Sequence, residues 1–229
     1  KNAGAAEQLF EVFHQKLLDK HLILHEGSIV DATFVEAPRQ RNTREENKAI
    51  KEGKVPEDWQ KEEPKAKHKL RQKDTDARWT VKNKERHYGY KNHVKVDEKS
   101  KFIDKYMVTD ASVHDSQAME TLIDETDKEM YADSAYSGEP IAEMLAKKEI
   151  RNLIHEKGYR NHPLTKEQKE SNRKKSKIRV RVEHVFGFMT NSMNGITVRC
   201  IGIERARFNT GFTNLLYNIH RYCLLCASA

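Results

Sequence analysis

A chain of 229 residues, 37% hydrophobic and 34% charged, is long enough to bury one substantial core, which excludes a peptide-sized scaffold that depends on staples. Its Leu, Ile, Val and Phe are spread along the sequence, against wholesale disorder, and its three cysteines are too few for a disulfide framework. The 42 Lys and Arg against 35 Asp and Glu leave a formal charge of +7, a balance suited to a polyanionic partner, with nucleic acid the first to test.

From Ala5 to Leu24, the residues Leu9, Phe10, Phe13, Leu17 and Leu18 fall at helical spacing and predict an amphipathic helix joining the core to whatever precedes it. Because the sequence opens on Lys1 rather than Met, the expectation is that an N-terminal portion is missing. Gly27 then leads into Ser28 to Val35, dense in β-branched and aromatic residues and closed by Pro38, which predicts a strand. Asp31 lies inside it on the face of Ile29, Thr33 and Val35, an expensive place for an unpaired carboxylate. Between about 39 and 86 charge dominates, Pro56 and Pro64 interrupt, and Trp59 and Trp79 are the large apolar anchors; a mostly irregular insertion is predicted.

Order returns at Tyr88 to Val96, where Tyr90, Val94 and Val96 alternate with Lys91, His93 and Lys95. A second strand over Phe102 to Thr109 completes a hairpin. A short helix burying Met119, Leu122 and Ile123 follows, capped by Asp115 or Ser116. A brief strand from Met130 ends at Asp133, a helix carries Ile141, Met144 and Leu145 inward, and Ile150 to Ile154 forms another strand. Thr165 and Gln168 have the form of a capping box for a helix with Ile178, Val182, Val185, Phe186 and Met189 on one stripe. A last helix places Phe208, Phe212, Leu215, Leu216, Ile219 and Cys223 on a similar stripe. Cys223 and Cys226 have ligand-like spacing, but no second pair accompanies them, so core cysteines are expected ahead of zinc ligands. The element order predicts an α/β fold: a mixed five-stranded sheet flanked by helices in ribonuclease-H-like order, with the insertion after the first strand.

Three acidic residues stand in unusual surroundings: Asp31 in a strand, Asp133 at the end of another, and Glu183 between Val182 and His184 on a helix. Separately each has a plainer reading, as a hydrogen-bonded core aspartate, a cap and a solvated glutamate. Together, half-buried carboxylates repel unless they share a cation, and hard oxygen ligands suit Mg²⁺ or Mn²⁺. Two such ions could activate an attacking oxygen and stabilise a leaving one in phosphodiester displacement. Arg179 and Glu183 share a helix face one turn apart, either as a surface ion pair or with Arg179 neutralising a phosphate beside the site. Lys169, Arg173, Lys174, Lys175, Lys177, Arg179 and Arg181 form a basic run leading to Glu183, either a solvated face or a phosphate track. The insertion and the strand after it, through Lys91, are also Lys-rich with aromatic residues interspersed, which suits backbone contact.

At this point the chain resembles a bacterial insertion-sequence transposase of the DDE class. The resemblance rests on Gly27 to Thr33 with Ala37-Pro38-Arg39, on Tyr88-Gly89-Tyr90-Lys91 with Val94 and Asp97, on Val108 to Ser116, on Ala132 to Tyr136, and on Arg179 to Gly187. These blocks run in order through nearly the whole chain. The resemblance implies a ribonuclease-H-like catalytic domain over 27–229, with 1–26 a remnant of a preceding recognition domain. It implies that Asp31, Asp133 and Glu183 hold two Mg²⁺ ions, that Arg179 partners the glutamate, and that His114, Asp115 and Tyr136 support the site, Asp115 alternatively being only a helix cap. Related transposases also carry a tyrosine three residues before the arginine and a lysine seven after the glutamate, where this chain has Ser176 and Thr190. The implied activity is cleavage at terminal inverted repeats and strand transfer into target DNA, by a homodimer in the DNA complex. With no signal peptide or spanning apolar run, the expectation is a cytoplasmic, nucleoid-associated bacterial protein without a membrane partner. Two rivals are a ribonuclease-H-like nuclease without strand transfer and a non-catalytic DNA-binding derivative.

Overall fold

The computed structural model describes residues 4–61 and 63–227; Lys1 and the start of the expected N-terminal segment lie outside them. In chain order the elements are α1 (Ala5–Asp19), β1 (Ser28–Glu36), α2 (Arg44–Lys51), α3 (Glu57–Gln60), α4 (Pro64–Gln72), β2 (Arg78–Lys82), β3 (Glu85–Asp97) and β4 (Ile103–Asp110). A 3-10 turn (Asp115–Ala118), α5 (Met119–Leu122), β5 (Glu129–Tyr131), a second 3-10 turn (Ser134–Tyr136), α6 (Glu139–Lys147), β6 (Arg151–Asn152), α7 (Lys166–Ser192) and α8 (Ile203–Ala227) follow.

Among the described residues, six strands form one mixed sheet in the order β2-β3-β1-β5-β6, with β4 paired to β3. β1 runs antiparallel to β3 along its length, from Ser28 opposite Asp97 to Glu36 opposite Gly89. It runs parallel to β5, with Ser28 opposite Met130 and Ile29 opposite Tyr131. Alternate residues of β1 feed two cores. Ile29 and Val35 pack with Val182, Val185 and Met189 of α7, Leu215 of α8 and Phe10 of α1. Val30 packs on the opposite face with Met119, Leu122, Tyr136, Ile141 and Leu145. A mixed sheet between two helical layers is the ribonuclease-H-like architecture.

The sheet has six strands where the sequence predicts five, and the insertion is more ordered than expected. The sixth strand is β2, joined to β3 by Asn83 and Lys84 with φ of 52° and 68°. Two left-handed residues suit the twist of a tight hairpin, but the usual marker is Asn-Gly, and lysine in the second place hides the turn. Elsewhere in the insertion, α2 opens with a capping box between Thr43 and Glu46. Glu46 Oε1 also accepts the indole N–H of buried Trp59 at 2.7 Å, tying α2 to α3.

Two amphipathic assignments need correction. β3 is buried on both faces, so Lys91, His93 and Lys95, which alternate with its apolar residues, lie in the interior as well. α8 turns a polar strip inward: Thr210, Gly211, Asn214 and Asn218 are buried, while Phe208 (44%), Phe212, Leu216 and Ile219 are exposed. Cys223 and Cys226, expected in the core, are exposed free thiols. The inward strip has a reason in backbone and amide hydrogen bonds. Asn214 and Asn92 exchange side-chain bonds of 2.8 and 3.2 Å. Asn218 Oδ1 accepts the Ile103 N–H at 2.9 Å and its Nδ2 donates to the Ile103 carbonyl at 2.8 Å, which satisfies both backbone groups of that residue. Gly211 lets the buried Tyr106 hydroxyl approach where a Cβ would meet it. Asn218→Ala is therefore expected to destabilise the fold by roughly 1–3 kcal/mol, read from urea unfolding, because it orphans two buried groups. A change below about 0.5 kcal/mol would show these bonds to be dispensable.

Candidate functional site

The parallel pairing of β1 with β5 sets the geometry. Carried two residues past the last paired position, the same offset brings Asp31 abreast of Asp133. Asp133 lies two residues beyond β5 as the N-cap of the second 3-10 turn, its Oδ1 accepting the Ala135 N–H at 2.6 Å, so the plainer reading of this residue as a cap holds alongside any other role. α7 packs over β1. From it, Arg179 donates to Asp31 Oδ2 at 2.8 Å and to Glu183 Oε1 at 2.9 Å. The remaining Asp31 oxygen, Oδ1, accepts the Ala32 N–H at 2.8 Å. Glu183 is 53% exposed, whereas Asp31 is largely covered.

Burial pushes the Asp31 carboxyl above the ordinary aspartate value, with Asp133 adding to the effect; the Ala32 N–H, Arg179 and Lys82 oppose it without cancelling it. Tyr136 is buried against the same carboxylates. Its hydroxyl has no hydrogen-bond partner among the described residues, and burial together with Asp31, Asp115 and Asp133 holds it protonated. An all-oxygen donor set beside an unmatched buried hydroxyl fits a hard divalent cation such as Mg²⁺ or Mn²⁺.

The supporting residues divide. Asp115 is buried at the start of the first 3-10 turn and pairs with Lys91 Nζ at 2.8 Å, while His114 is the N-cap. Lys91 also donates to the Val113 carbonyl at 2.7 Å and lies over the Phe34 ring. It sits in the interior rather than on a displayed phosphate-binding surface, because both faces of β3 are covered. Within the basic run, Arg181 is tied to Glu98 at 2.7 Å and Lys175 to the Ile154 carbonyl at 3.0 Å, whereas Arg173, Lys174 and Lys177 are exposed. His155 was not anticipated. It follows β6, its Nε2 lies 3.3 Å from Ser176 Oγ, and burial with Arg179 and Lys175 lowers its pKa. Its position just beyond the carboxyl end of a parallel strand is the signal that could have found it, since sites gather at such ends.

A second cluster lies before Asp31, at the start of β1. His25, Asp104 and Asp127 present ligand atoms within 4.8 Å of one another, a set capable of coordinating a metal ion. The ammonium of Lys95 lies among the same oxygens, 2.6 Å from Asp104, 2.7 Å from Asp124 and 3.0 Å from Asp127. A protein cation therefore already supplies the countercharge. Sequence reading missed this cluster because Asp104, Asp124, Asp127 and His25 come from separate segments that only the folded sheet brings to Lys95.

The mixed sheet between two helical layers defines a ribonuclease-H-like fold. Residues 23–219 match the family described as the transposase DDE domain, and the chain belongs to that family. Among solved structures, it is similar to a piggyBac transposase in a synaptic complex with hairpin DNA, at 7% identity and a TM-score of 0.49, covering 84% of this chain and 45% of that one. It is also similar to a Mos1 transposase in a pre-cleavage transpososome, at 10% identity and a TM-score of 0.34, covering 97% of this chain and 61% of that one.

Proposed function

We propose that this chain is the catalytic core of a DNA transposase that cleaves at insertion-sequence ends and transfers the freed strand into target DNA. The observation that carries the reading is that Arg179 on α7 links Asp31 on β1 to Glu183, while Asp133, just past β5, lies near enough to raise the Asp31 pKa. These residues would hold two Mg²⁺ ions, with Mn²⁺ as a substitute, which when bound supply activation of the attacking oxygen and stabilisation of the leaving one. The protein contributes position and charge. β1 fixes Asp31, the turn after β5 fixes Asp133, Glu183 is carried on α7, and Arg173, Lys174 and Lys177 offer exposed cations for the phosphodiester backbone leading to the site. No side chain needs to act as a nucleophile. Joining two element ends calls for a pair of catalytic cores, so a homodimer on DNA is part of the proposal.

The test uses duplexes carrying the terminal inverted repeats, one intact and one pre-cleaved, with Mg²⁺ or Mn²⁺. Wild type is expected to nick the first and join the second to target DNA, with Asp133→Asn reduced at least about 100-fold in both. Hydrolysis without joining would indicate the nuclease reading. Equal cutting by wild type and variant, or DNA binding without cutting in either metal, would sink the catalytic proposal.

A further inference from the structure

Both oxygens of Asp31 are engaged. Oδ1 accepts the Ala32 N–H, which cannot leave because it belongs to the adjoining peptide, and Oδ2 accepts from Arg179. A cation taking Asp31 as a ligand must therefore compete with one of these donors. Arg179 is the one able to move, since it reaches β1 from α7 on a long side chain and simultaneously grips Glu183. Two divalent ions would also set four positive charges beside the guanidinium. Lys175, one turn before Arg179 on α7, adds to that repulsion, so a displaced Arg179 requires an anionic partner of its own. Its Nε is buried without a hydrogen-bond partner among the described residues, which leaves one edge of the fork unmatched in the carboxylate-bound pose. A phosphodiester can take that edge with two parallel bonds.

We infer that Arg179 and divalent metal compete for the carboxylate oxygens of Asp31 and Glu183, and that a DNA phosphate drawing Arg179 away couples DNA binding to metal loading. The inference rests on the metal-site reading above and adds its regulation. Arg179 is a positioning residue in this scheme. While it bridges Asp31 and Glu183 it occupies an oxygen of each and offsets part of their charge, so the protein without DNA binds metal weakly. Once a phosphate holds the guanidinium, both carboxylates are released together. By linkage, metal must then tighten DNA binding by the same factor that DNA tightens metal binding.

The experiment measures Mn²⁺ affinity of the full chain by electron paramagnetic resonance, with and without a short DNA duplex, for wild type, Arg179→Gln, Arg179→Lys and Asp31→Asn. Thermal melts are run in parallel. Without DNA, Arg179→Gln is expected to bind Mn²⁺ about ten-fold more tightly than wild type, because two charge-assisted hydrogen bonds no longer oppose the metal. Arg179→Lys, which keeps the charge but loses the fork, should fall between them. The duplex should tighten Mn²⁺ binding in wild type and give a smaller gain in Arg179→Gln. That variant should melt lower than wild type without metal and recover more on Mn²⁺ addition, a pattern that simple misfolding does not produce. Equal or weaker Mn²⁺ binding by a folded Arg179→Gln, or an undiminished gain from the duplex, overturns the competition. If wild type binds Mn²⁺ no better than Asp31→Asn, the metal-site reading fails, and the competition falls with it.

Discussion

Lys95→Met is expected to destabilise the protein by about 3–5 kcal/mol at neutral pH, the usual effect of removing one partner from a buried ion pair. Lys95 is fully buried on β3 and reaches Asp104, Asp124 and Asp127; Asp104 also accepts from His14 Nε2 at 2.6 Å. Burial opposes the charge on Lys95, but Asp104 and Asp127 outweigh it and hold its pKa above the ordinary lysine value. Burial likewise opposes the Asp104 carboxylate, yet His14 and Lys95 bring its pKa down to about 2. The network joins α1 (through His14), the loop at His25, the hairpin of β3 and β4, and the segment before β5. Without the ammonium, the buried carboxylates of Asp104 and Asp127 face one another in the core, while half-buried Asp124 keeps Lys105 as a partner.

The same network fixes the pH signature. Asp104 has a depressed pKa, so its stabilising contribution is present above the ordinary carboxylate range and is lost as pH falls through about 2. Asp124 and Asp127 are lowered too and act in the same direction. The His25 pKa is raised, chiefly by the Asp127 carboxylate 3.4 Å from its Nδ1, against the opposing effect of burial. Its contribution is present below about 6.5 and is lost as pH rises through the raised value. In Lys95→Met, Asp104 and Asp127 lose their lysine counterion and protonate more readily, so the deficit relative to wild type should shrink as pH falls from 7 toward 4. Urea unfolding at several pH values measures it. A deficit under about 1 kcal/mol, or one that does not change with pH, would mean that the ammonium is not the centre of this cluster.

Those charges also show where the sequence stops being readable. The ribonuclease-H-like order was legible because strand and helix periodicities depend on local pattern, and Val182, Val185 and Met189 face the sheet as their spacing predicts. Alternation failed at Lys91, His93 and Lys95, since it assumes that one face of a strand is solvated, whereas β3 is covered on both. It failed again on α8, where Asn214 and Asn218 are drawn inward by specific partners on β3 and β4 that no helical wheel can anticipate. At the candidate site, the pairing of Arg179 with Glu183 followed from their separation of one turn. The reach of Arg179 to Asp31, 148 residues away, did not, because it depends on how α7 crosses β1.

Asp31→Asn is expected to lower metal-dependent cleavage by about a thousand-fold or more, equivalent to ~4 kcal/mol of barrier, while changing the stability of the metal-free protein by no more than about 1 kcal/mol. The two halves have separate causes. Asparagine removes one carboxylate from the set proposed to hold the ions, and its single carbonyl oxygen cannot replace two anionic oxygens. For stability, two opposing effects nearly cancel. The amide oxygen can accept from Ala32 or from Arg179 but not from both, so one hydrogen bond is lost. Against this, burial raises the Asp31 pKa, which means that the folded protein bears a penalty for ionising this residue. A raised carboxyl contributes stability that is fully present below the ordinary aspartate value and lost as pH rises through the folded one, so at neutral pH the penalty is in force and asparagine relieves it. Wild type should accordingly gain stability relative to Asp31→Asn as the pH is lowered through the raised pKa. Paired cleavage assays and denaturant unfolding check both halves on the same preparations. Activity retained within ten-fold of wild type would remove Asp31 from the proposed metal ligands. A loss of stability large enough to unfold the variant would make it a core ion-pair partner whose effect on cleavage is indirect.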